Sequence, residues 1–283
     1  MATWPASLVT ELAERRAVVF LGAGVSKSAL NTMPSWAELL RDMGANAKLQ
    51  KDKKLIDSLI RSGRLLDAAE LANSLMMPAD RNALLERRFR LQPPPISELY
   101  ADVLALDPKV CITTNYDQFI EKNFEHFSGF GAHQVRTYKY EHLLSDLRSP
   151  ARIILKIHGC ITDPPSIVLD RKSYFDAKSK HPGVYEVVSA LLTVNTVLFL
   201  GYSMGDPDIQ IVLEEVNSKL KTDHPHYAFL QKFEHPSLRD AYKHTYNIEF
   251  IEYPKGRHEA FPDALHELRL AVEAVRASTG MRV

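Results

Sequence analysis

The 283-residue sequence predicts an α/β fold, a doubly wound parallel sheet of Rossmann-like type with one helical insert. Three observations predict it. Short apolar, β-branched runs recur along the chain, helical patterns separate several of them, and residues 35–105 carry helical periodicity without a clear strand. Strand–helix alternation implies a parallel sheet covered by helices on both faces. With 45% hydrophobic residues the chain can bury a full core, so residues 1–283 are read as a single domain with an insert at about 35–105.

The expected strands, in order, are AVVFLGAG (17–24), KVCITTN (109–115), RIILKIHG (152–159), TVLFLGYS (196–203), HYAFLQ (226–231) and IEFIEY (248–253). Between the first two, WAELLRDMGANAKL, KKLIDSLIRSG, LLDAAELANSL and DRNALLERRF supply the insert, and the prolines at 93–95 end its pattern and mark the return to the sheet. The remaining helices are DQFIEKNFEHF, YEVVSALLTVN, DPDIQIVLEEVNSKL, SLRDAYKHTY and a closing PDALHELRLAVEAVRAS.

Composition narrows the functional classes. Lys+Arg and Asp+Glu are equal at 35 each, so no excess positive charge is available for a run of phosphates and nucleic acid is not expected as a direct partner. The two cysteines, Cys111 and Cys160, form no CxxC pair, which leaves neither a disulfide framework nor a cysteine zinc site. No stretch reaches the ~18 apolar residues of a membrane span, and the start lacks a signal-peptide core. A cytoplasmic protein without a metal is the expectation.

Four strand ends carry candidate chemistry. In FLGAGVSKS, Gly22, Ala23 and Gly24 turn out of a buried strand and Ser26 follows; such a turn can cradle a pyrophosphate on backbone N–H groups, or be a tight strand-to-helix connection with no ligand. In CITTNYD, Thr114, Asn115 and Asp117 lie at the carboxyl edge, where open α/β sheets bind ligands; Asn115 or Asp117 can equally cap the next helix. RIILKIHG delivers His158 to the same rim, and histidine is a natural general base near neutral pH, although a lone histidine after a strand is more often structural. In FLGYSMGDPDI, Gly201 and Ser203 leave a strand and Asp206-Pro207 opens a helix, so Ser203 can contact ribose or phosphate while Asp206 reads as a cap.

Taken in this order, GAGVS, TTNYD, IHG and GYSMGD resemble the sirtuin family in its bacterial SIR2-like branch, from about residue 17 to about 220. The resemblance implies that Gly22–Ser26 wraps the phosphates of NAD, that Asn115 and Asp117 position ribose, water and nicotinamide, and that His158 acts as base. The sequence departs from deacylating sirtuins at three points: Cys160 stands alone where they carry a four-cysteine zinc module, Met33-Pro34-Ser35-Trp36 replaces their Pro-Asp-Phe-Arg element, and Thr114 replaces a glutamine. The Pro-Ser-Trp and Thr-Thr-Asn-Tyr-Asp pattern is similar to the NAD-consuming effectors of antiphage defence. The implied activity is therefore an NAD glycohydrolase releasing nicotinamide and ADP-ribose, with a deacylase or ADP-ribosyltransferase and a non-catalytic NAD or ADP-ribose binding subunit as alternatives. Control by homo-oligomerisation or by a separately encoded sensor protein is expected, with the insert and the closing helix as contact surfaces. Tyr253 and the Arg257–His258 loop either approach the adenine end or form a solvated loop.

Overall fold

A computed structural model describes residues 3–129, 131–202, 213, 224–257 and 259–280. Its strands are β1 (Ala17–Leu21), β2 (Val110–Thr113), β3 (His133–Thr137), β4 (Arg152–Lys156), β5 (Thr196–Leu200), β6 (His226–Gln231) and β7 (Ile248–Tyr253). They form one seven-stranded sheet in the order β3-β4-β2-β1-β5-β6-β7, and every adjacent pair is parallel. The chain begins in the middle, builds outward through β2, then returns to build β5, β6 and β7 on the other side. Strand order thus reverses between β1 and β5, and a crevice opens at the carboxyl ends of a doubly wound sheet at such a point.

Alternation of side chains along each strand supplies both faces with apolar groups. Ala17, Val19 and Leu21 of β1 enter one core with Cys111, Ile154, Leu198 and Leu200, while Val18 and Phe20 enter the other with Val110, Ile112, Val197 and Phe199. The first core is covered by α1 (Ala6–Ala13), by the helices between β1 and β2, by α8 (Phe119–Ser128) and by α13 (Ala260–Thr279). The second lies beneath α9 (Leu143–Arg148), α10 (Arg171–Lys180), α11 (Pro182–Val194) and α12 (Pro236–Tyr246).

Between β1 and β2 run α2 (Ala23–Ala29), α3 (Trp36–Ala45), α4 (Gln50–Arg61), α5 (Leu65–Ser74), α6 (Pro78–Phe89) and α7 (Glu98–Ala105). Ser35 starts α3 with a capping box, its hydroxyl accepting from Glu38 N while the Glu38 carboxylate accepts from Ser35 N. The prolines at 93–95 do not lead straight back to the sheet: α7 intervenes, and its buried Leu99, Tyr100 and Val103 pack beneath the rim. The strand β3 was not expected either. Its sequence HQVRT offers no apolar alternation because it is a half-buried edge strand. Of the helix expected at DPDIQIVLEEVNSKL, only Leu213 is described, helical and buried. No helix among the described residues is long and apolar enough to cross a membrane.

Candidate functional site

Register brings four strand ends level, because Leu21 pairs with both Thr113 and Leu200 and Thr113 pairs with Lys156. The residues that follow therefore share one rim. Above it lies a cavity of about 970 Å³, lined among others by Ala23, Gly24, Ser26, Thr114, Asn115, Asp117, His158 and Gly201. Tyr253 lines it too, at the end of β7, whereas Ser203 and His258 lie outside the described residues.

The glycines bring backbone against backbone. Gly24 N donates to Gly201 O at 2.8 Å, and a Cβ on Gly22 or Gly24 would stand 2.6 or 2.7 Å from that same oxygen. Gly201 itself adopts φ +62, with Val25 N only 2.4 Å from where its Cβ would be. The contact that demands these glycines is the crossing of the β1–α2 and β5 turns at the switch point, not in the first place an approach to a ligand.

Ser26 sits at the centre of a buried hydrogen-bond cluster. Its hydroxyl donates to Asp117 Oδ2 at 2.9 Å, receives Asn115 Nδ2 at 3.1 Å and meets Tyr100 Oη at 3.2 Å. Asn115 Nδ2 also donates to Gly22 O at 3.0 Å, which fixes the orientation of the carboxamide because a carbonyl can only accept. Asn115 Oδ1, on the opposite side, is buried and has no hydrogen-bond partner among the described residues. The Asn115 backbone is held as well, its N–H on Thr113 Oγ1 at 3.0 Å and that hydroxyl on Leu21 O at 2.7 Å.

Asp117 performs two tasks within the protein. Oδ1 accepts Phe119 N at 2.9 Å at the start of α8, and Oδ2 accepts Ser26. Beneath it, the fully buried Lys156 ammonium donates to the Asp117 backbone carbonyl and, at 2.8 Å, to Glu121 Oε1. Burial pulls the Lys156 pKa down, but neighbouring negative charge, from Glu121 first and also from Asp117, together with the hydrogen bond to Glu121 leaves it raised. Tyr100 is pushed well above the usual phenol range by burial and by the neighbouring Asp117 charge, which keeps its hydroxyl protonated.

His158 follows β4 and is buried, its backbone carbonyl accepting Val168 N at 3.0 Å. Gly159, at φ +83, makes the turn that carries it; a Cβ there would lie 2.5 Å from Ser166 O. Lys27 and Ser35 line the cavity as well, and Lys27 is paired with Glu38 at 2.7 Å. With its hydrogen bonds from Lys27 and from the backbone and hydroxyl of Ser35, Glu38 is held down to about 2. Two participants, Lys156 and Tyr100, are not among the strand-end candidates. Lys156 had a signal, a cation inside the apolar run RIILKIHG, while Tyr100 had none, since its partner is distant in the chain. Among the described residues, no three His, Cys, Asp or Glu side chains converge as a metal site would require.

Comparison with known proteins bears on this arrangement. A family described as SIR2-like domain matches residues 109–251, about half of the chain, including Asn115, Asp117 and His158. The chain belongs to the SIR2-like family. This SIR2-like chain is also 25% identical over 248 residues to the NAD(+) hydrolase ThsA of Acinetobacter baumannii (strain 532279), covering 85% of the chain and 48% of that protein. It is 28% identical over 222 residues to the NAD(+) hydrolase ThsA of Enterococcus faecium, covering 76% and 43% respectively. Against defense-associated sirtuin 2 of Bacillus subtilis, identity is 26% over 219 residues, 75% of the chain and 20% of that protein. The SIR2-like chain thus spans about half the length, or less, of these relatives.

Proposed function

We propose that this chain hydrolyses NAD to nicotinamide and ADP-ribose, as an NAD-depleting effector in antiphage defence. The observation that carries the reading is Asn115: its amide nitrogen is tied to Gly22 O and Ser26 Oγ while Oδ1 has no partner among the described residues, in a residue lining the same cavity as His158. A buried acceptor without a donor is costly in the empty protein, and a ligand hydroxyl or water would satisfy it. The relatives named NAD(+) hydrolase support the same substrate.

The chemistry asks for positioning more than for reactive groups. As the C1′–N1 bond breaks, its electron pair moves onto the nicotinamide ring nitrogen and neutralises the pyridinium, leaving an oxocarbenium-like ribose. A water oxygen then adds to C1′ and loses one proton. Asn115 Oδ1 accepts a hydrogen from that water or from a ribose hydroxyl, and the His158 imidazole takes the proton. Asp117, with both oxygens already engaged, contributes its charge and the placement of Ser26. Ala23 and Gly24 of the glycine turn, with Thr114 and Gly201, form the wall against which the dinucleotide lies.

Destroying NAD without restraint would kill the host cell, so activity is placed under self-assembly or a separately encoded sensor protein that contacts the insert or the closing helix. Product analysis tests the reading: NAD is incubated with the chain, with and without its genomic neighbours and an acetylated peptide. Nicotinamide and ADP-ribose without peptide consumption are expected. Release of nicotinamide only when the peptide is present, with transfer of its acetyl group, would overturn the reading in favour of a deacylase.

A further inference from the structure

We propose that Tyr100, delivered from the last helix before β2, is a positioning residue whose hydroxyl holds the Ser26 hydroxyl turned to Asp117 and thereby steadies the Asn115 carboxamide in the orientation that Gly22 O selects. The consequence for turnover rests on the NAD-cleavage reading above; the geometry does not.

The relay follows from counting hydrogens. The Ser26 hydroxyl has one hydrogen, and Asp117 Oδ2, 2.9 Å away, is an acceptor that claims it. Both lone pairs of Ser26 Oγ are then open to donors, and two donors are in place: Asn115 Nδ2 at 3.1 Å and Tyr100 Oη at 3.2 Å. Tyr100 must therefore give its hydrogen to Ser26, and the relay runs Tyr100 to Ser26 to Asp117. Tyr100, 1% exposed, lies outside the cavity lining, so its hydroxyl is not replaced by bulk water.

Without the Tyr100 donor, Ser26 loses one of the two bonds that hold its hydroxyl turned to Asp117. A hydroxyl that rotates away would point its hydrogen at Asn115 Nδ2, which is itself a donor, and would loosen the carboxamide. The alternative orientation of Asn115 would set Oδ1 against Gly22 O, acceptor against acceptor. The Tyr100 hydroxyl thus acts at a distance on Asn115, and it makes an insert helix part of the positioning apparatus.

The test is Tyr100→Phe, which keeps the ring and removes the hydroxyl. In the full chain under conditions where the wild type cleaves NAD, kcat falls roughly tenfold or more while KM stays within about twofold, because placement and not substrate affinity is changed. Ser26→Ala, which removes the hub, lowers kcat further. Independently of activity, the Asn115 side-chain amide resonances, assigned by their disappearance in Asn115→Ala, shift in Tyr100→Phe. Unchanged kcat, a change confined to KM, or a loss of thermal stability with unchanged turnover per folded chain would overturn the proposal. If the wild type proves inactive towards NAD under every condition, the cleavage reading fails while the amide resonances still decide the relay: an unshifted Asn115 amide overturns it, a shifted one supports it.

Discussion

The two edges of the sheet use the same kinds of polar group to opposite ends. At the amino edge, the fully buried Arg276 of α13 donates to four backbone carbonyls, those of Leu12, Ala13, Ala105 and Leu106, at the carboxyl ends of α1 and α7. Nearby, Asp107 bridges Arg15 and Arg152, and Lys109 donates to Ser149 O and Ala151 O. A cation at helix carboxyl ends is favourable by charge as well as by hydrogen bonding. At the carboxyl edge, Asn115 Oδ1, in a residue lining the cavity, is buried without a partner among the described residues, and so is Glu121 Oε2 on α8. Polar residues gathered at a strand end therefore do not by themselves mark a site; the distinction is whether their hydrogen-bonding capacity is used up internally.

The largest effects on function are expected from removing groups at the open edge. His158→Ala and Asn115→Ala are each expected to lower NAD turnover by roughly 10²-fold or more, with the unfolding midpoint nearly unchanged, because neither side chain carries the core. Steady-state nicotinamide release measured beside thermal unfolding checks both halves. A folded variant that turns over at the wild-type rate would remove that residue from the site.

The converse applies at the closed edge. Arg276→Met leaves four carbonyls without their donor and is expected to cost at least about 1–3 kcal/mol of stability, while the residual folded protein keeps its turnover. Urea unfolding monitored by circular dichroism measures the first, and activity normalised to folded protein the second. A variant as stable as the wild type would mean that water or a repacked helix end satisfies those carbonyls.

The same contrast explains what was legible in the sequence. The six strands built of apolar runs are readable because both sheet faces are covered, so that β1, β2 and β5 are buried throughout, β4 and β6 over most of their length, and even β7 keeps apolar residues at its buried positions. The strand β3 is not, since an edge strand reading HQVRT owes its place to pairing with β4 and not to burial. The rim residues Asn115, Asp117 and His158 could be found because they interrupt apolar strands, and by the same logic Lys156 was there to be read. Tyr100 and Arg276 resist such reading: each sits in a helix whose pattern calls for a core residue, and its role comes from partners far away in the chain. The glycines stand out in the sequence, but spacing cannot tell whether the neighbour that requires them is a ligand or, as for Gly22 and Gly24 here, the backbone of Gly201.

A smaller effect, dependent on pH, sharpens the account of the closed edge. His226 opens β6, is buried, and accepts Val197 N on Nδ1 at 3.2 Å, a role open only to the neutral ring. Burial holds its pKa down from 6.5 to about 4. The unfolded chain therefore binds a proton between about pH 6.5 and 4 that the folded chain refuses, so the contribution to stability is complete above 6.5 and is lost as pH falls through about 4. Integrated over that window it amounts to at most about 3 kcal/mol. Burial lowers His133 as well, with the same sign, so the wild-type curve alone cannot be assigned to one residue. The decisive measurement is the unfolding free energy of wild type and His226→Asn from pH 7 to pH 4. Asparagine can accept the Val197 N–H without titrating in this range, so the variant is expected to lose less stability on acidification. Parallel curves would mean that the ring nitrogen of His226 is not what holds the start of β5 against β6, and that this part of the closed edge rests on strand pairing alone.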